Sequence, residues 1–213
     1  MSLFFLNQFS SRSFLFKATK NSFNSITVDG DTSTSDTVLL SATGQVIGQP
    51  IVKRSSDLIV ADFYRALEEV CIDLAQQIVR DGEGAQKIIN IIVSGAESKR
   101  AARVIGLAIA NSPLVKTAVA GEDPNWGRVI MGIGKSGEKV DKNKISIKFG
   151  EFLLAENGAP VENINLDKIR EYMKWDSIFI EINLNSGSDF FECYTCDFTH
   201  DYIDINADYK NST

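Results

Sequence analysis

Histidine occurs once in this chain of 213 residues, and cysteine three times. A lone His200 leaves little room for an imidazole-rich metal site. Any histidine-based triad would have to use it, and the sequence holds no strained Gly-x-Ser-x-Gly elbow to partner it. An odd, sparse set of cysteines (Cys71, Cys193 and Cys196) is no secreted disulfide scaffold and points to a reducing, intracellular compartment. Basic residues are in the minority: Lys plus Arg number 22 against 28 Asp plus Glu, a net charge of -6. That argues against non-specific nucleic-acid binding, which needs a basic surface. No apolar run approaches the ~20 residues that span a bilayer. Internal repeats and low-complexity tracts are also missing.

What is present reads as an ordinary globular protein, 44% hydrophobic and 23% charged. The length suits one large domain, or a domain with a smaller appendage, and allows a sizeable core. The opening "MSLFFLNQFSSRSFLFKATK" has no acid, three basic residues and five serines or threonines. That composition resembles an organellar transit peptide; an ordinary first helix or the displaced start of a longer gene fits it as well.

Further along, "SITVDGD" reads as a strand and turn, and "DTVLLSATG" as a second strand. Residues 44–57 read as a loop or irregular hairpin. Residues 58–80 carry Phe63, Leu67, Val70, Cys71, Leu74 and Ile78, with the neighbouring Ala75 and Val79, at three- and four-residue steps, which predicts a helix, with Ser56 or Asp57 as cap and Gly82 as stop. "KIINIIVSG" is apolar on both faces and predicts a central strand. Residues 97–110 predict a second helix, "SPLVKTAVAG" a third strand-like stretch, "GEDPNWGR" a turn-rich loop, and "VIMGIGKSG" a short helix or buried segment. "KISIKFG" with "EFLLAENG" predicts a hairpin, "LDKIREYMKW" a short helix, and "SIFIEINLNSG" with "DFFECYTCDF" paired strands. The expected organisation is an atypical segment 1–20, a main domain 21–140 and a C-terminal lobe 141–213.

Several stretches carry candidate chemistry. "VDGDTST" places Asp29 and Asp31 as in metal-dependent phosphatases, with Asp29 as nucleophile and Asp31 as acid/base. No downstream acidic pair completes that set, and a self-capped turn explains the residues as well. Cys193 and Cys196 form half of a zinc motif with His200 four residues on, yet residues 193 and 196 of a strand point to opposite faces. Glu83 sits between Gly82 and Gly84 just past the helix end, where a carboxylate can bind an amine; an exposed helix terminus is the plain alternative. Residues 112–128 gather Lys116, Thr117, Asp123, Asn125, Trp126 and Arg128, the makings of either a site or a loop plugged by its Trp.

Four segments, "SFNSITVDGDTSTSDTVLL", "IVRDGEGAQK", "SPLVKTAVAGEDPNWGR" and "CDFTHDYIDINADYK", occur in this order and at similar spacing in one family. From about Lys20 onward the chain resembles the C-terminal (beta) chain of the ornithine acetyltransferases of arginine biosynthesis, often bifunctional with glutamate N-acetyltransferase activity. The resemblance implies an α/β (α+β) fold, a layered sandwich of helices and two β-sheets of the N-terminal-nucleophile-like type, with a smaller C-terminal lobe. It implies a precursor that cuts itself between Ala and Thr, the freed Thr accepting the acetyl group of N2-acetylornithine and passing it to glutamate. Acetyl-CoA is a possible donor substrate, and no cofactor or metal is implied. The alpha chain of the precursor supplies the oxyanion hole and completes a hetero-oligomer with no nucleic-acid or membrane partner, in the cytoplasm or alternatively a mitochondrion.

By position, Glu83 and Asn206 match the family's substrate-binding residues. Asn211 falls where the family carries a substrate-contacting Thr or Ser, with Ser212 and Thr213 beyond. The family's Ala-Thr-Met-Leu motif is absent, so the nucleophile is expected before Met1 and this chain alone is expected to be inactive. A non-catalytic remnant or partner subunit of the same fold is the alternative.

Overall fold

A computed structural model describes residues 5–6, 8–43, 48, 51–52 and 60–208. The chain divides into two compact units, one of residues 1–26 and 32–77, the other of residues 27–31 and 78–213. Strands on both sides of residue 140 share the sheet of the second unit.

In the first unit, β1 (Phe5–Leu6) pairs in parallel with β2 (Ile51–Val52). Helix α1 (Gln8–Lys20) carries Phe14, which packs on Val60, Phe63, Tyr64 and Leu67 at the start of α2 (Ala61–Arg80). The Phe14 ring meets the Phe63 ring edge-on at 5.7 Å, the geometry that aromatic quadrupoles favour. Glu68 accepts from Asn21 Nδ2 at 2.7 Å and from the Tyr64 hydroxyl at 3.0 Å. Burial, reinforced by Glu68, pushes the Tyr64 phenol up to about 12.

Three expectations change here. The buried line of α2 runs through Cys71, Ala75 and Val79, while Val70, Leu74 and Ile78 are exposed. Residues 36–43 form no strand; their β-branched and apolar side chains find no ladder, and Leu39 is 83% exposed. Most of the loop at 44–57, with the predicted caps Ser56 and Asp57, lies outside the described residues.

The second unit is built on β3 (Ile88–Ala96). Every apolar residue of its Ile- and Val-rich sequence from Ile88 to Val93 except Ile92 is buried. The sheet also holds β4 (Ser146–Phe149), β5 (Phe152–Glu156), β6 (Ala159–Pro160), β7 (Ser177–Asn183) and β8 (Asp189–Cys196), in the order β6-β5-β4-β7-β3-β8. The β4–β5 hairpin is as predicted. The strands β7 and β8 form but do not pair with each other. Strand β3 lies between them, parallel to β7 and antiparallel to β8, because its doubly apolar sequence needs cover on both faces and both edges.

Helix α3 (Lys99–Ala110), capped by the Ser98 hydroxyl accepting from Ala101 N at 3.1 Å, lies across β3 and β8. A Cβ at Gly106 would stand 2.8 Å from the Phe191 ring, so glycine sets this close approach. The stretch 113–120 is a helix, α4 (Pro113–Ala120), and not a strand. Pro113 sits in its first turn, where a missing N–H costs nothing. Helix α5 (Trp126–Lys135) starts at the Asn125 cap, α6 (Leu166–Met173) at the Asn165 cap, and α7 (His200–Ala207) follows β8. The core runs through Ile89, Ile91, Ile105, Ile109, Ile147 and Ile180. No helix among the described residues is long and apolar enough to cross a membrane.

The mixed α/β class matches expectation. The two sheets are a short pairing in the first unit and one large mixed sheet in the second.

Candidate functional site

Helix α2 ends at Arg80, and the chain turns through Gly82, Glu83 and Gly84 toward β3. Gly84 has φ +66°, a conformation that side-chain-bearing residues adopt at a cost. A Cβ there would lie 2.5 Å from the backbone nitrogen of Tyr202. The turn therefore touches the first coil of α7, and the Thr199 hydroxyl secures it by donating to Gly84 O at 2.7 Å.

This approach brings together two residues 123 positions apart. Asn206 Nδ2 donates to Glu83 Oε2 at 2.6 Å and to Tyr202 O at 2.9 Å. The carboxylate of Glu83 is thus held by a charge-assisted hydrogen bond. Asn206 and Glu83 are both exposed, so a soluble cation can reach the pair. The third predicted residue, Asn211, lies outside the described residues, as do Ser212 and Thr213.

Tyr202 links the pair to Asp29. Asp29 Oδ1 accepts from Asp31 N at 2.9 Å, closing the turn, and Asp29 Oδ2 accepts from the Tyr202 hydroxyl at 3.2 Å. Burial, and next the Asp29 charge, raises the Tyr202 phenol. The strand predicted at 25–31 is a single bridge, Thr27 N donating to Tyr194 O at 3.0 Å.

Asp197, only 1% exposed, accepts from the amides of Gln86 and Lys87 at 2.9 Å each. It pins the segment after Glu83 to the end of β8. Its other oxygen, Oδ2, is buried without a partner.

Lys116, also 1% exposed, directs its ammonium into the same region. It donates to Val28 O at 2.6 Å, to Thr195 Oγ1 at 2.8 Å and to Cys196 O. Burial lowers its pKa, against the raising effects of Cys196, Asp197 and Asp29. The other polar residues of 112–128 work elsewhere. Arg128 Nη1 donates to Leu114 O at 2.7 Å and to Thr117 Oγ1 at 3.2 Å, tying α5 to α4. Asn125, bonded to Asp123 at 2.9 Å, caps α5, and Trp126 packs on the core.

Among the described residues, no group of three or more His, Cys, Asp or Glu is placed to hold a metal ion. Cys193 faces α3 at Gly106, while Cys196 faces Val28 and Lys116, so the two thiols lie on opposite sides of β8. Cys193, fully buried, is pushed up to about 12 by burial. His200 opens α7 and joins neither. Each carboxylate oxygen of Asp29 accepts a hydrogen bond, one from its own turn and one from Tyr202.

The sequence reading missed Tyr202, Phe198 and Asp197. Only "CDFTHDYIDINADYK" as a block pointed toward them.

Known proteins add the following. The ArgJ family is matched over residues 6–211, so the match takes in α1, ahead of the start near Lys20 expected from the motifs. The arginine biosynthesis bifunctional protein ArgJ of Ruegeria pomeroyi is 52% identical over 193 residues, covering 91% of this chain and 46% of that protein. The protein of the same description from Zymomonas mobilis is 48% identical over 197 residues, covering 92% of this chain and 48% of that protein. The chain therefore spans about half the length of the curated relatives it matches. The crystal structure of the arginine biosynthesis bifunctional protein argJ of Bacillus halodurans superposes with a TM-score of 0.90 at 38% identity, covering 97% of this chain and 96% of that one.

Proposed function

Because the chain belongs to the ArgJ family, we propose that it is one half of an acetyltransferase of arginine biosynthesis that moves an acetyl group from N2-acetylornithine to glutamate. The chain matches half of its curated relatives but 96% of one solved argJ chain. A solved argJ chain of this size supports a precursor divided into alpha and beta chains, with this chain as beta.

In this reading a threonine hydroxyl, supplied from outside the residues of this chain, attacks the acetyl carbonyl of N2-acetylornithine. The C–N bond breaks, the amine takes a proton and leaves as ornithine, and the acetyl group stays on the threonine as an ester. The amine of glutamate then attacks the ester and releases the hydroxyl, a ping-pong sequence. Acetyl-CoA is an alternative donor by the same ester. The alpha chain supplies the oxyanion donors.

The observation that carries the reading is the Glu83–Asn206 pair at 2.6 Å. Glu83 is an anion that the side-chain ammonium of ornithine can approach, and the Asn206 amide fixes its orientation. The resemblance assigns a further substrate contact to Asn211, or to Ser212 and Thr213 beyond it. The expected compartment is the cytoplasm.

The test is acetyl transfer from acetylornithine to glutamate. The chain by itself should transfer nothing, and co-expression with the N-terminal half of a relative should give activity. Glu83→Gln in that two-part enzyme should raise KM for acetylornithine on the order of tenfold or more. Turnover by the isolated chain, or an unchanged KM in the variant, would refute the assignment.

A further inference from the structure

Lys116 is the one large charged side chain among the fully buried residues described. Burying an ammonium is costly unless every N–H is met. Here three donors face three oxygens, Val28 O, Thr195 Oγ1 and Cys196 O, the full complement of an –NH3+ group. These acceptors come from two separate segments, the one that leads into Asp29 and the one that leads out of β8. The ammonium also stands 4.5 Å from the ring centroid of Phe198, within cation–π range. Cys196 Sγ lies at 3.7 Å.

From Phe198 the path continues. Its ring stacks on Tyr202 at 4.5 Å with 19° between the planes. The Tyr202 hydroxyl returns to Asp29, next to Val28, and the Tyr202 carbonyl accepts from the same Asn206 amide that holds Glu83. Lys116 thus grips both ends of a closed ring of contacts on which the Glu83–Asn206 pair rides.

Resting on the reading of Glu83 and Asn206 as the substrate-contacting pair, we propose that Lys116 is a positioning residue for that pair. Its buried ammonium locks the Val28–Asp29 segment to the Cys196–Phe198 segment, and through Phe198 and Tyr202 it sets where Asn206 meets Glu83. An apolar side chain of equal length fills the same space but supplies no direction. The charge-assisted bonds fix the two segments in register, so losing them displaces a pair that holds substrate and weakens its binding.

Two variants test this in the enzyme carrying both halves. Lys116→Met keeps the stem and removes the ammonium. Phe198→Leu keeps the hydrogen bonds of Lys116 and removes the ring that relays its position. Each should raise KM for acetylornithine, Lys116→Met on the order of tenfold, with kcat changing much less. A general loss of packing lowers the amount of active enzyme and moves kcat instead. In nuclear magnetic resonance spectra of this chain, the side-chain amide of Asn206 should leave its wild-type position in both variants while the amides of β3 keep theirs.

Glu83→Gln separates the two ideas. If it leaves KM unchanged, the reading of the site fails, whatever Lys116 does. If Glu83→Gln raises KM while folded Lys116→Met and Phe198→Leu enzymes keep the wild-type KM and the Asn206 signal, the positioning role is overturned. Should Lys116→Met not fold, Phe198→Leu alone decides, and a wild-type KM there overturns the proposal.

Discussion

Gly84→Ala is the substitution whose cost the geometry defines most sharply. At φ +66° an L side chain is strained whatever the space around it, by roughly 1–2 kcal/mol. Space is also lacking. The new Cβ would stand 2.5 Å from Tyr202 N, 2.8 Å from Asp201 Cβ and 2.9 Å from Asp201 C. Two of these are backbone atoms of α7, which cannot swing aside as a flexible side chain would. Overpacking of this kind costs about 1–3 kcal/mol more. For a chain of this size each kcal/mol lowers Tm by about 2–4 °C, so the melting point should fall on the order of 10 °C. Gly134→Ala is the control: it lies in α5 with nothing within 4 Å of the added Cβ, and should be neutral or stabilising by up to ~1 kcal/mol. Thermal unfolding followed by circular dichroism reads both. A Gly84→Ala chain that melts at or above the wild-type temperature, beside a well-behaved Gly134→Ala, would mean that α7 does not sit against this turn.

Asp197→Ala should destabilise by roughly 1–3 kcal/mol, since it strands the buried amide of Lys87 and the partly buried amide of Gln86; a urea midpoint equal to wild type would contradict the pinning role. Alkali should destabilise the fold through Cys193, whose thiol is raised from 9.0 to about 12 by burial. The folded state keeps a proton that the unfolded state releases, so this contribution is intact below pH 9 and lost as pH rises toward 12, on the order of 1 kcal/mol of it by pH 10. Cys193→Ala should flatten the fall in stability above pH 9, and an unchanged slope in denaturant titrations would count against a buried neutral thiol.

Local pattern was enough for β3, α3, α6 and the β4–β5 hairpin, because each is declared by its own residues: an Ile/Val run, a capped amphipathic stretch, a hairpin of apolar segments. It misled at 113–120, where Val115, Thr117 and Val119 imitate a strand. The better signal was Pro113 after Ser112, the opening of a helix. It misled again at 25–31 and 36–43, since a strand exists only where a neighbour pairs with it. The separation of β7 from β8 by a strand some way upstream is a matter of topology, which no window of sequence contains. The site divides in the same way. Glu83 stood out between its glycines, but its meeting with Asn206 came from resemblance and not from spacing. The acceptors of Lys116 lie at residues 28, 195 and 196, so nothing near residue 116 announces its part.

The placement of β3 also dictates an order of events during synthesis. Its two neighbours are β7 and β8 and nothing earlier, so this nine-residue, largely buried strand leaves the ribosome long before residues 177–196 exist to receive it. Until then it is an unpaired, sticky segment, the kind that aggregates or occupies a chaperone. Pairings between distant parts of a sequence also close slowly. The final hundred-odd residues therefore act as a checkpoint: truncated or stalled products should be far less soluble than the finished chain, and the yield of folded protein should depend on translation running to the end of β8.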